Sequence, residues 1–145
     1  NYPLFFYGTL RSQEVRYAVL SKFECSLNLV KGFILGYDLF RVKNTNYPLI
    51  LKNKHSQKRI LGFIVYNYNQ EIINKLDMFE GENYSRFKAQ AFRLSDELKV
   101  EVELYMPNKK LDYCEPWIFE NWLKLEKESF FMNDFNKDGI KKPIY

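Results

Sequence analysis

The sequence predicts an α+β domain, and three observations carry that expectation. Aromatic residues make up 18% of the 145 positions, a load that excludes a disordered chain and suits strands with an aromatic-lined interior. Short strand-like stretches recur through the first two thirds of the chain, broken by glycines. Three segments switch to helical spacing, one near each end and one in the middle. A chain of this length fits one domain, residues 1–145, with room for a real core.

Taken in order, PLFFY is a short apolar run that reads as a buried strand ending at Gly8. Ser12 is placed to cap a helix over QEVRYAVLSKF, where Val15, Ala18 and Val19 share a face. Three strand-like stretches follow: LNLVKGFILGYDLFRV, YPLILKN and RILGFIVYNY. Gly32 and Gly36 mark bends or bulges in the first. In NQEIINKLDMF the period changes: Ile72, Leu76 and Phe79 fall on one side, Asn69 is a cap, and Gly81 suits the position past the helix end. RFKAQAFRL and KVEVELYM are two more strands. Pro116 then opens a helix over WIFENWLKLEKESFF, with Ile118, Phe119, Trp122 and Leu125 as its packing stripe. The sheet expected from this order is curled and largely antiparallel or mixed.

Composition narrows the chemistry. No apolar run approaches the roughly 20 residues that cross a bilayer, and the start has no basic segment of the kind that opens a signal peptide. A cytoplasmic location is the expectation. Cys25 and Cys114 have no metal-like spacing and read as two buried free thiols. His55 is the only histidine, so no zinc-site pattern is present, and any nucleophile has a single imidazole to draw on. Chemistry here must rest on carboxylates, tyrosines or backbone groups. The net charge of +4 comes largely from KNKHSQKR and the tail KDGIKKPIY. Both read as solvated loops, without the interleaved aromatics of a nucleic-acid platform.

Two stretches stand out. FFYGTLRS takes a buried strand through a glycine into a helix start, where unpaired amides collect and an anion is favoured. The plainer alternative is an ordinary strand–helix turn that needs a glycine. LDMFEGENYSR places Glu80 in the last helical turn, at the negative end of the helix dipole and three residues after Asp77. Phe79 and Tyr84 beside it reduce solvation. All three effects raise the carboxyl pKa toward the range of a base at neutral pH. The plainer alternative is a solvated glutamate partly neutralised by Arg86.

The two stretches together resemble the gamma-glutamylcyclotransferase-like proteins. YGTL, at 7–10, precedes a D-x-F-E-G-x-x-Y-x-R pattern at 77–86. GYDLF and NYPLI are similar to that family's middle strands, ILGFIVYNY to the strand before its acidic helix, and EPWIFENWLK to the C-terminal helix of its plant pathogen-induced branch. The resemblance implies a small mixed β-barrel with flanking helices and a cavity at one end. It implies that Glu80 is the catalytic acid/base and that Tyr7, Gly8, Thr9 and Leu10 form the substrate-binding turn. It further implies that Tyr84 and Arg86 line or brace the site and that Tyr47 and Pro48 face the cavity.

That activity needs only what the chain has. The α-amine of a γ-glutamyl amide closes a five-membered ring on its own γ-carbonyl, giving 5-oxoproline and a free amine. One carboxylate carries the proton, and amides at the turn serve the substrate carboxylate or the oxyanion. No metal, nucleotide or other cofactor enters. The expected partner is a small γ-glutamyl substrate, with no nucleic acid or membrane, on a monomer or homodimer. Two rivals stand beside this reading: a non-catalytic domain that binds a small zwitterion, and another acyl transfer in the same cavity.

Overall fold

The computed structural model describes residues 1–136. Among these described residues, eight strands form two sheets. β1 (Leu4–Phe6), β2 (Asn28–Ile34), β5 (Ile60–Tyr66), β6 (Tyr84–Arg93) and β7 (Lys99–Pro107) close into a barrel in the order β1-β5-β2-β6-β7. β3 (Tyr37–Val42), β4 (Pro48–Lys52) and β8 (Tyr113–Pro116) make a separate sheet with β3 in the middle. Barrel neighbours run antiparallel except at the closing seam, where β1 lies parallel to β7 with Leu4 opposite Glu103. The expected α+β class and mixed barrel with flanking helices are both present.

β1 is apolar throughout because both of its faces are covered. Phe5 and Tyr7 join side chains from the other barrel strands, including Ile34, Ile64, Ala91 and Leu104. Leu4 and Phe6, pointing the other way, join Val15, Val19, Ile72, Leu76 and Phe79 under the helices. Two-residue alternation thus serves two cores, and the strand reads as continuous hydrophobic sequence.

The first helix is α1 (Gln13–Leu20), shorter than its pattern predicts. Ser12 caps it by accepting from the Val15 amide at 3.4 Å. Ser21, at φ 54, ends it, and residues 21–26 tighten into 3₁₀ turns. α2 (Gln70–Glu80) has the expected cap, with Asn69 accepting from the Ile72 amide at 2.9 Å.

Several expectations need correction. Gly36, at φ +83, is the turn that splits the long strand-like stretch into β2 and β3. Gly32, however, sits in unbroken register opposite Gly62 and marks a close approach rather than a bend. A Cβ on it would lie 2.7 Å from the Phe92 carbonyl oxygen. Gly62 is tighter still, at 2.2 Å from the Phe6 carbonyl. Gly62→Ala is therefore expected to force β5 away from β1 and cost about 1–3 kcal/mol as overpacking. Denaturant unfolding with an unchanged midpoint would contradict this.

The C-terminal helical region departs further. Pro116 ends strand β8 instead of opening a helix, and Trp117 and Ile118 precede the helix. α3 (Phe119–Asn121) and α4 (Lys127–Ser129) are short α segments, each followed by a wider i→i+5 turn region, at Trp122–Glu126 and Phe130–Asp134. Trp122 and Phe130 are fully buried, while Ile118 is 49% and Leu125 79% exposed. An ideal α-helix would set Trp122 and Phe130 about 80° apart. The wider turns advance less per residue, which brings these two rings to one side and swings Leu125 into solvent. Both cysteines are free as expected, but Cys25 is exposed and Cys114 half-buried. The first lies in the 3₁₀ segment and the second on a strand at the margin of the small sheet, so neither enters a core. The loop after β4 is exposed, with His55, Lys58 and Arg59 in solvent. The basic tail lies outside the described residues.

Candidate active site

Glu80 is the last residue of α2, and Gly81 at φ +78 stops the helix behind it in a conformation suited to glycine. Phe79 is locked into the core. That anchoring turns the next side chain, Glu80, toward a small cavity of about 380 Å³, counting its open mouth.

The cavity brings together residues from β1, β4, α2, β6 and β7. Tyr7, Gly8, Thr9 and Leu10 line it from the end of β1, Tyr47 and Pro48 from the start of β4, and Tyr84 from the start of β6. The glycine at position 8 has a packing reason. A Cβ there would come within 3.0 Å of the Pro48 ring, so Gly8 lets the turn and the Pro48 wall close together. The turn differs from the expected strand–helix junction in one respect. A single 3₁₀ turn, Thr9–Arg11, intervenes before α1, whose N-terminus is already served by Ser12. The helix start is therefore displaced from Gly8. Among the turn and loop hydrogen bonds of the described residues, none uses the amides of Gly8, Thr9 or Leu10.

Arg86 lies outside the cavity lining. Its guanidinium binds Asp77 at 3.0 Å and Glu103 at 3.1 Å, so its ion-pair partners are these carboxylates and not Glu80. It braces the outer side of α2. Tyr105 was not legible as a site residue, because a tyrosine inside a regular strand carries no motif. It lines the cavity, donates to Asp77 at 2.7 Å, and its carbonyl accepts from the Tyr7 hydroxyl. Tyr84 donates to the Pro48 carbonyl at 3.1 Å, tying β6 to the wall of the cavity.

The electrostatics follow from this enclosure. Burial pushes the Glu80 carboxyl up to about 8, and the Asp77 carboxylate one turn earlier adds repulsion. Some of the residue remains accessible through the cavity, but the carboxyl itself is largely desolvated. No hydrogen bond to that carboxyl comes from another described residue. Tyr7 is also raised, first by burial and then by Glu80. Arg86 keeps Asp77 paired, leaving Glu80 as the carboxyl most open to taking and releasing a proton near neutrality.

Residues 4–124 match the family described as gamma-glutamyl cyclotransferase, AIG2-like. The chain belongs to this family. Curated relatives include the AIG2-like protein C of Arabidopsis thaliana, 31% identical across 89% of this chain and 73% of its own length. Protein AIG2 C of the same plant is 26% identical across 99% of this chain and 88% of its own. Among solved structures, one Arabidopsis thaliana protein determined in solution superposes with a TM-score of 0.67 at 26% identity, covering 90% of this chain and 86% of that one. A structure titled gamma-glutamyl cyclotransferase gives 0.64 at 14% identity, covering 99% and 90%, which is a likeness of fold. Every cavity residue described above lies within the segment matched to the cyclotransferase family. Among the described residues, no helix is long and apolar enough to cross a membrane.

Proposed function

We propose that this cyclotransferase-family protein releases 5-oxoproline from a γ-glutamyl amide, with Glu80 as general acid/base. The observation that carries the proposal is the desolvated Glu80 carboxyl, raised to about 8, facing a cavity bounded by the Gly8–Leu10 turn. A peptide α-ammonium titrates at about 7.7–8.0, and the substrate's, beside its own carboxylate, holds its proton more tightly still. A carboxyl raised to about 8 narrows that gap and lowers the penalty of the transfer. A glutamate at its ordinary value of 4.5 would face a much steeper uphill transfer.

The steps balance on this one carboxyl. Glu80 takes a proton from the substrate α-ammonium. The freed amine attacks the γ-carbonyl carbon, forming the ring C–N bond and an oxyanion. The old amide C–N bond then breaks as Glu80 returns the proton to the leaving nitrogen, and the lactam nitrogen sheds its extra proton to solvent. The amides at Gly8–Leu10 are suited to donate to the substrate carboxylate or the oxyanion. Tyr47, Pro48 and Tyr84 enclose the site and limit water.

The test is a panel of γ-glutamyl amides, spanning amino acids, lysine isopeptides and polyamines, assayed for 5-oxoproline. Release from at least one class is the expected result. No release from any class, by protein with an intact melt, would favour the zwitterion-binding domain instead.

A further inference from the structure

We propose that Asp134 is a positioning residue for this site, acting from a C-terminal arm that lies beyond the family-matched segment. The inference rests on the reading of the Glu80 cavity as the active site. The family match ends at residue 124, yet the chain continues into Lys127–Asp134 and packs behind two walls of the cavity, at Asn46 and Phe79.

One contact reaches the Pro48 wall. Asp134 is buried, and its carboxylate accepts from the Asn46 amide at 2.7 Å. The Asn46 side chain in turn donates to Ser129 at 3.0 Å, so the segment is held at two points on the arm. A charge-assisted bond of that length is the strong kind. Asn46 is immediately followed by Tyr47 and Pro48, which line the cavity. Thr45 locks the other side of the segment, its hydroxyl bonding Val42 and accepting from the Tyr47 amide.

The second contact reaches the Glu80 side. Phe135, next to Asp134, lies 5.8 Å centroid to centroid from Phe79, the residue that anchors Glu80. Phe130 and Phe131 pack against Phe135 and fix it in turn. The arm therefore links the substrate wall to the helix end that carries the base. Its hydrogen bond through Asp134 is the part that a single substitution can release without emptying the aromatic cluster.

Two variants test this, Asp134→Ala and Asp134→Asn. In the alanine variant, amide exchange at Asn46 should accelerate by at least tenfold, because its acceptor is gone. With Tyr47 and Pro48 still tied by Thr45 and Tyr84 but no longer fixed from the Asn46 amide, KM for the best γ-glutamyl amide should rise about tenfold with kcat nearly kept, the signature of lost binding rather than lost chemistry. The asparagine variant retains a carbonyl that accepts from the same amide and should restore both. A purely structural role would instead lower the folded fraction, reducing apparent kcat with KM unchanged, and would overturn the proposal. So would parental exchange in the alanine variant. A parent protein that turns over no γ-glutamyl amide defeats the functional reading and this role together, whereas an unchanged KM in an active alanine variant defeats this role alone.

Discussion

Glu80→Gln is expected to lower 5-oxoproline release by about 10²–10⁴-fold, the usual contribution of one positioned proton acceptor. Glutamine matches the protonated form in size and shape, so the cavity survives while the titrating group is lost. For the parent protein, kcat/KM should rise with pH and level off above about 8, where the free carboxyl is ionised. Stability should move the opposite way. The folded carboxyl holds its proton more tightly than the unfolded one, so its contribution is complete below about 4.5 and lost as pH rises through about 8. Melting of the parent should therefore decline between pH 5 and 9 by a term on the order of a few kcal/mol that the glutamine variant lacks. A glutamate retained for a salt bridge predicts the reverse: weaker folding and intact turnover. Arg86 already argues against that, since its partners are Asp77 and Glu103. A glutamine variant with full turnover would sink the mechanism.

Trp122→Ala should destabilise the fold by roughly 3–5 kcal/mol, the range for removing a fully buried large aromatic side chain. The ring stacks on Phe119, meets Trp117 at 6.1 Å and takes Phe130 edge-on at 5.4 Å, so three aromatics lose their common neighbour's support at once. Trp122→Phe is an informative companion. The indole N–H has no acceptor among the described residues, so replacing it gives up volume but no hydrogen bond. The phenylalanine variant should thus recover much of the loss. An alanine variant that melts like the parent would contradict the packing described for this region.

How much of this was legible in sequence depended on how local the signal is. Asn69, Ile72, Leu76, Phe79 and Gly81 lie within thirteen residues, and their spacing and caps define α2 from start to stop. Glu80 could be singled out for the same reason: Asp77 and the helix end are its sequence neighbours. The C-terminal stripe failed because it assumed 100° per residue, and the wider turns at Trp122–Glu126 break that period. β8 escaped because Tyr113–Pro116 is half-exposed, short and without alternation. Arg86 was placed in the site by motif position, yet its direction is decided by Glu103 on a different strand. Tyr105, likewise, enters the cavity only through barrel closure.

That closure has a consequence for the order in which the chain can assemble. β1 leaves the ribosome before the other barrel strands, but its partners are β5 and, at the seam, β7. Pairing Leu4 with Glu103 closes a loop of nearly the whole matched segment, and such long-range pairing is slow because its entropy must be lost before any contact repays it. The Tyr7 hydroxyl meets the Tyr105 carbonyl across that same seam. A nascent chain ending before β7 thus has Glu80 on its helix and the Gly8 turn on its strand, but no cavity between them. The cavity is complete only with the last barrel strand, and until β5 emerges β1 is an unpaired apolar segment that a growing chain must keep from other chains.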